Sequence, residues 1–189
     1  MYTKKIYFSG GSFHELQEVF SRIRGVETVT SGYIDSDIPS PSYETVLAGA
    51  TGAAMGVKVT YDPKKIDVSS LMDILFAVVN PYIKDKQGDC AGPMYRSGVY
   101  YLSSEDEPII EYHMNFIHNR QKVPTATEAA LTLNDPTSDP IGARRCYATA
   151  RRLVNFYPAE EEHQQYLKKH PEEKTCIDFC RLKELAIIQ

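Results

Sequence analysis

Apolar residues recur with a period of two over residues 55–61, where Met55, Val57, Val59 and Tyr61 share one face, and this predicts a strand. Upstream, Lys4 to Ser9 also reads as a strand, broken by Gly10-Gly11 before a helix that sets Phe13, Leu16, Val19, Phe20 and Ile23 on one face. Gly25 suits the end of that helix. The β-branched run from Glu27 to Ile34 predicts a second strand, and the stretch from Asp35 to Ser42, rich in Asp, Ser and Pro, a loop. After the Asp62-Pro63 turn, Leu71, Ile74, Leu75 and Val78 form a helical stripe within Ser69 to Val79, stopped by Asn80-Pro81. A long loop leads to Tyr95, and Ser97 to Leu102 reads as a strand. The order strand, helix, strand, strand, helix, strand is that of a split βαβ, ferredoxin-like unit, an α+β sandwich with helices on one sheet face.

Beyond that unit, the spacing predicts a helix from Glu105 to Asn119, whose His113 and His118 read as structural or exposed. Residues 121–143 form an irregular insertion in which Thr127 to Leu133 can be helical. A short strand follows over Tyr147 to Arg151, with Cys146 read as strand and core, and then a helix over Pro158 to Lys169 with proline in its first turn. Residues 1–170 are expected to form a single domain, and residues 171–189 a C-terminal tail carrying Cys176 and Cys180.

The length of 189 residues, with 42% hydrophobic and 24% charged content, is enough for one sizeable core. A net charge of -4 gives no electrostatic footprint for nucleic acid, and the short cluster Arg144, Arg145, Arg151 and Arg152 reads as a solvated face. No apolar run reaches the roughly 20 residues that a membrane span needs. Met1 to Lys5 does not open a secretory signal, so a soluble, cytoplasmic protein is expected. The four cysteines, Cys90, Cys146, Cys176 and Cys180, are irregularly spaced, which makes reduced thiols the default.

Chemistry is expected first at Gly10-Gly11-Ser12, where backbone amides and a helix N-terminus surround whatever Ser12 binds. The competing reading is that Ser12 and Glu15, three residues apart, form a capping box. If helical, the segment holding Cys176 and Cys180 puts both thiols on one face, but a disulfide there would require local unwinding. A lone Cys-x-x-x-Cys has no second ligand pair for structural zinc, so no metal is expected.

An ordered set of motifs then carries a resemblance. Gly11-Ser12-Phe13-His14, Gly32-Tyr33, Pro41-Ser42-Tyr43-Glu44-Thr45-Val46, Gly49-Ala50-Thr51-Gly52 and Val59-Thr60-Tyr61-Asp62-Pro63-Lys64-Lys65 belong to it. So do Tyr95-Arg96-Ser97-Gly98, Phe156-Tyr157-Pro158-Ala159-Glu160 and His163-Gln164-Gln165-Tyr166-Leu167. Together these resemble the A-type peptide methionine sulfoxide reductases over most of the chain. The resemblance implies reduction of methionine S-sulfoxide, in peptides or as the free amino acid, by protein thiols without metal or organic cofactor. In the family a helix-initial cysteine attacks the sulfoxide sulfur, becomes a sulfenic acid, and is resolved by downstream cysteines whose disulfide thioredoxin or a similar dithiol reduces.

Against that pattern, Ser12 stands at the attacking cysteine, His14 at a tryptophan of the substrate wall, and Met55 at the glutamic acid that protonates the sulfoxide oxygen. Asp89-Cys90 aligns with the family's Asn-Asp pair, so Cys90 replaces a carboxylate unless Asp89 takes its place. Phe13 keeps its place in the wall, Tyr43 and Tyr95 match the oxygen-binding tyrosines, and Cys176 and Cys180 lie where the family keeps resolving thiols. His163 matches a family position as well and reads as a structural residue on a charged helix face. A hydroxyl cannot form a sulfenic acid, so the thiol cycle cannot run at Ser12. Two functions follow: a reductase with an altered site, or a non-reducing homologue that binds a thioether or sulfoxide ligand or uses Cys90 and His14 for another reaction.

Overall fold

The computed structural model describes residues 2–119 and 145–189. Lys4–Ser9 (β1), Val26–Ile34 (β2) and Ala54–Tyr61 (β3) pair antiparallel, with β3 in the middle: Ile6 and Phe8 face Val59 and Val57, while Tyr33 lies opposite Met55. Gly98–Tyr101 (β6) adds antiparallel to the free side of β1, and Thr149–Arg152 (β7) pairs parallel with β6. Phe156–Pro158 (β8) closes the opposite edge against β2, which makes the sheet order β7-β6-β1-β3-β2-β8. A small hairpin, Lys86–Gln87 (β4) and Cys90–Ala91 (β5), stands apart from this sheet. The α+β architecture therefore holds.

Phe13–Ser21 (α1) and Val68–Val78 (α3) supply the helical layer, and Glu107–Asn119 (α4) packs on α3. The period-two and period-3.6 patterns meet in one core, where Ile6, Phe8, Leu16, Phe20, Val57, Val59, Leu71 and Leu75 are fully buried. Each such side chain contributes about 1.5–3 kcal/mol by leaving water. Strand alternation turns Tyr7, Ile34, Ala54 and Tyr100 to the other sheet face, covered by Leu153 and Phe156. The phenyl ring of Phe156 sits 5.2 Å from that of Tyr7.

The helix expected over Pro158 to Lys169 is absent. Pro158 instead ends the edge strand β8, where a residue without an N–H is tolerated, and it lies opposite Gly32. A Cβ on Gly32 would lie 2.5 Å from the Tyr157 carbonyl oxygen, so the close approach of β8 requires glycine there. One turn of 3-10 helix, Glu161–His163, and a short helix, Tyr166–Lys169 (α5), follow. Another helix, Tyr43–Leu47 (α2), begins with a capping box, Ser42 with Thr45. Cys146 precedes β7 rather than lying in it and is half-buried, its sulfur 3.8 Å from the Ala148 carbonyl oxygen.

The arginine cluster is not a uniformly solvated face, because Arg151 pairs with the buried carboxylate of Asp35. Arg144 and the insertion at residues 121–143 lie outside the described residues. The tail joins the main core through Leu182 and Ile188, and Phe179–Glu184 (α6) is its helix. Because α6 starts after Cys176, Cys176 and Cys180 do not share one helical face. Among the described residues, no helix is long and apolar enough to cross a membrane.

Candidate functional site

The end of β1 turns into α1 through two glycines held at positive φ, 152° at Gly10 and 70° at Gly11. The Val79 side chain occupies the space of a Gly10 Cβ, Gln87 that of a Gly11 Cβ, and the Gly11 N–H donates to the Tyr95 carbonyl at 3.1 Å. The turn therefore seats the start of α1 directly against the β4–β5 hairpin and the Tyr95 backbone.

Ser12 is the N-cap residue, but its hydroxyl caps nothing. Glu15 does not reach back to it either. The buried Glu15 carboxylate accepts hydrogen bonds from the backbone N–H groups of Cys176 (3.1 Å) and Ile177 (2.8 Å), so the expected capping box is replaced by a clamp on the C-terminal tail. An open cleft results, lined by Gly11, Ser12, Glu15, Gln87, Gly88 and Cys176.

Cys90 lies beside the cleft, on the β4–β5 hairpin. It pairs with Gln87 across the two-residue turn Gly88-Asp89, and Cys176 packs on that turn so closely that a Cβ on Gly88 would lie 2.5 Å from its sulfur. Burial raises the Cys90 thiol above its ordinary pKa, and Cys176, Glu15 and Asp89 add to the rise. The Ser12 backbone N–H acts on the same sulfur in the opposite direction. Asp89 itself is exposed.

Tyr43 and Tyr95 also lie near Cys90. Burial raises both phenols, with Tyr95 pushed up to about 12, and the adjacent Cys90 contributes to each shift. Both therefore keep their protons near neutral pH and can donate hydrogen bonds to an oxygen between them. Phe13 stacks on Tyr43 with ring centres 5.9 Å apart. Met55 is buried in the sheet, where its thioether is part of the core.

His14 extends the aromatic wall into a stack. It lies 4.1 Å from the Tyr166 ring, and its Nε2 is 3.0 Å from Nδ1 of His163, which stacks on Tyr43 at 4.1 Å. His163 is thus a part of the wall, with 12% of its side chain exposed, on a 3-10 turn beside Glu160 and Glu162. Burial, then His163 and His170, lowers the His14 pKa to about 4, which keeps the imidazole neutral near pH 7. Two further bonds fix this wall: the Tyr33 hydroxyl donates to Glu160 at 2.7 Å, and the Tyr43 N–H donates to the same carboxylate at 3.1 Å.

Gln17 and Gln164 bind the wall to α1, since Gln17 Nε2 donates to Gln164 at 3.0 Å and the Gln165 N–H donates to Gln17 at 2.7 Å. Gln17, Glu160 and Tyr166 had no assigned role in the sequence, and Glu15 only that of a cap; for Glu160 and Tyr166 the signal was the motif block that contains them. Cys180 lies exposed on α6. His113 bonds Ser69 and Asp73, and His118 bonds the Met114 carbonyl, which are structural contacts. Among the described residues, no three His, Cys, Asp or Glu side chains form a group that could hold a metal ion.

A sequence model of the family described as peptide methionine sulfoxide reductase matches residues 4–187. The chain is 36% identical over 180 residues to the peptide methionine sulfoxide reductase MsrA of Mycoplasma genitalium, covering 95% of this chain and 98% of that protein. Among solved structures, reduced Mxr1 from Saccharomyces cerevisiae aligns with a TM-score of 0.75 at 25% identity, covering 92% of this chain and 89% of that one. Methionine sulfoxide reductase A of Corynebacterium diphtheriae aligns with a TM-score of 0.69 at 25% identity, over 92% and 77% of the two chains.

Proposed function

The chain belongs to the peptide methionine sulfoxide reductase family, and from that membership we propose that it reduces methionine S-sulfoxide, free or in peptides, to the thioether at the N-terminal end of α1. The observation that carries this reading is a thiol, Cys90, near two protonated phenols, Tyr43 and Tyr95, the first of which stacks on Phe13 of the Phe13 and His14 wall. The phenols suit the sulfoxide oxygen, and the aromatic wall suits the methyl group. Proton delivery falls to the phenols and to the thiols, because Met55 has no proton to give. Thioredoxin or a similar dithiol returns the oxidised thiols to the reduced state.

A second reading rests on Ser12 and Met55 together: a pocket without its family nucleophile and acid binds a thioether or sulfoxide and does not reduce it. Single-turnover reduction of a peptide containing methionine S-sulfoxide, by this protein and by Ser12→Cys, separates the two. Thioether product from either protein supports a reductase pocket. Saturable binding with no product from either one establishes the binder.

A further inference from the structure

Residue 12 cannot supply the thiol that the proposed reaction needs, yet Cys176 lines the cleft at the start of α1 and Cys90 lies beside it on the β4–β5 hairpin. We infer that Cys90 is the attacking thiol and Cys176 its resolving partner, so that the redox cycle has moved from the first residue of α1 to the hairpin and tail that pack on it. This inference rests on the reductase reading.

Three placements support it. Cys90 adjoins both Tyr43 and Tyr95, the two groups suited to hold a sulfoxide oxygen. Its sulfur also accepts the Ser12 backbone N–H at the start of α1, which puts Cys90 against the first residue of that helix and offsets part of the rise that burial imposes on the thiol. Finally, Cys176 is held over the Gly88-Asp89 turn, next to Cys90, by the Glu15 carboxylate on its backbone N–H. Cys180, exposed on α6, has no comparable anchor to the cleft among the described residues.

The chemistry balances with these groups. The Cys90 sulfur attacks the sulfoxide sulfur and takes its oxygen; the S–O bond of the substrate breaks, the thioether leaves, and Cys90 becomes a sulfenic acid, oxidised by two electrons. The Cys176 sulfur then displaces the sulfenic oxygen, its thiol proton leaves with that oxygen as water, and a Cys90–Cys176 disulfide forms. An external dithiol reduces the disulfide by exchange and carries away the two-electron oxidation.

The test uses the full-length protein, reduced and freed of reductant, with excess methionine S-sulfoxide peptide. Product is followed by mass, free thiols are counted, and linked peptides are mapped. The wild type and Cys146→Ser should each give about one equivalent of thioether, lose two thiols and yield a Cys90–Cys176 linkage. Cys176→Ser should still make thioether but leave a sulfenic acid on Cys90 that dimedone labels. Cys90→Ser, shown to be folded by circular dichroism, should make none.

Wild-type yield from Cys90→Ser, or dimedone label on any other residue of Cys176→Ser, overturns the inference. If the wild type is silent and Ser12→Cys reduces the peptide, the inference falls and the reductase reading stands. If Ser12→Cys is silent as well, both fall.

Discussion

Glu15 and Cys176 meet across most of the chain: the buried Glu15 carboxylate accepts the Cys176 N–H at 3.1 Å and the following Ile177 N–H at 2.8 Å. The first turn of α1 thereby decides where the C-terminal tail lies, and it presents a carboxylate to amides that would otherwise be left without a partner. Hydrogen bonds to a charged group contribute about 1.5–3 kcal/mol each. Glu15→Ala should lower the unfolding free energy in urea by about 2 kcal/mol or more. It should also speed tryptic cleavage after Lys174 and Arg181 several-fold, because the tail lifts more often. Unchanged cleavage would mean that Leu182 and Ile188 hold the tail without the clamp.

His14 makes stability depend on acidity. Its folded-state pKa is lowered from 6.5 to about 4 by burial and by His163 and His170, so on acidification the unfolded chain binds the proton first. The sign follows: no effect above about pH 7, and loss of stability as pH falls from 6.5 toward 4. Allowing for the partial exposure of the ring, the loss is about 1 kcal/mol at pH 5. His14→Phe keeps the stack with Tyr166 and Tyr43 and removes the titration. The difference in unfolding free energy between pH 7 and pH 5 should therefore be smaller in the variant by about that amount. Equal slopes for the two proteins would show that His14 is protonated in the fold.

Arg151 reads in the sequence as one of a set of solvated charges, and the structure gives it one demanding partner. The Asp35 carboxylate is 3% exposed and accepts from Arg151 and from the Val154 N–H at 2.8 Å. Removing the guanidinium leaves a buried carboxylate with backbone partners only. Arg151→Met should cost about 2 kcal/mol by urea denaturation, below the 3–5 kcal/mol of a wholly stripped charge. Arg152→Met, on the neighbouring exposed position of β7, should cost less than about 0.5 kcal/mol. Equal costs for the two would remove any special role for the Asp35 pair.

The contrast between Arg151 and Arg152 marks where reading the sequence stops. Periodicity locates β1, α1, β3 and α3 because one face of each is buried, and burial is what the alternation records. It cannot say that Pro158 ends a strand, since proline at an edge strand and proline opening a helix look alike until the edge is known. The Ser12 and Glu15 spacing was correct for a capping box, and a tertiary partner 161 residues away took the carboxylate. The resemblance led to the expectation that Phe13, Tyr43, Tyr95 and Cys90 share one site, but the cleft shared by Ser12 and Cys176 depends on how the tail folds back. Local spacing carries no record of that return.

The same neighbours that bring Cys90 and Cys176 together also set the pH dependence expected of sulfoxide reduction. Burial raises the Cys90 thiol, Cys176, Glu15 and Asp89 raise it further, and the Ser12 N–H opposes them without reversing the shift. The thiolate is then a minor species at neutral pH, and its fraction grows about tenfold for each pH unit. Tyr43 and Tyr95 lie near the same sulfur and are themselves raised above the ordinary phenol range, Tyr95 to about 12, so both proton donors are retained between about pH 7 and pH 9. The single-turnover rate should therefore climb with a log–log slope near 1 from about pH 7 to pH 9 and show no descending limb there. Glu15→Gln removes one of the negative charges beside the sulfur and should shift the rising limb to lower pH. A rate that is flat from pH 7 upward would mean that the attacking thiol is already ionised, and would rule out Cys90 in the surroundings described.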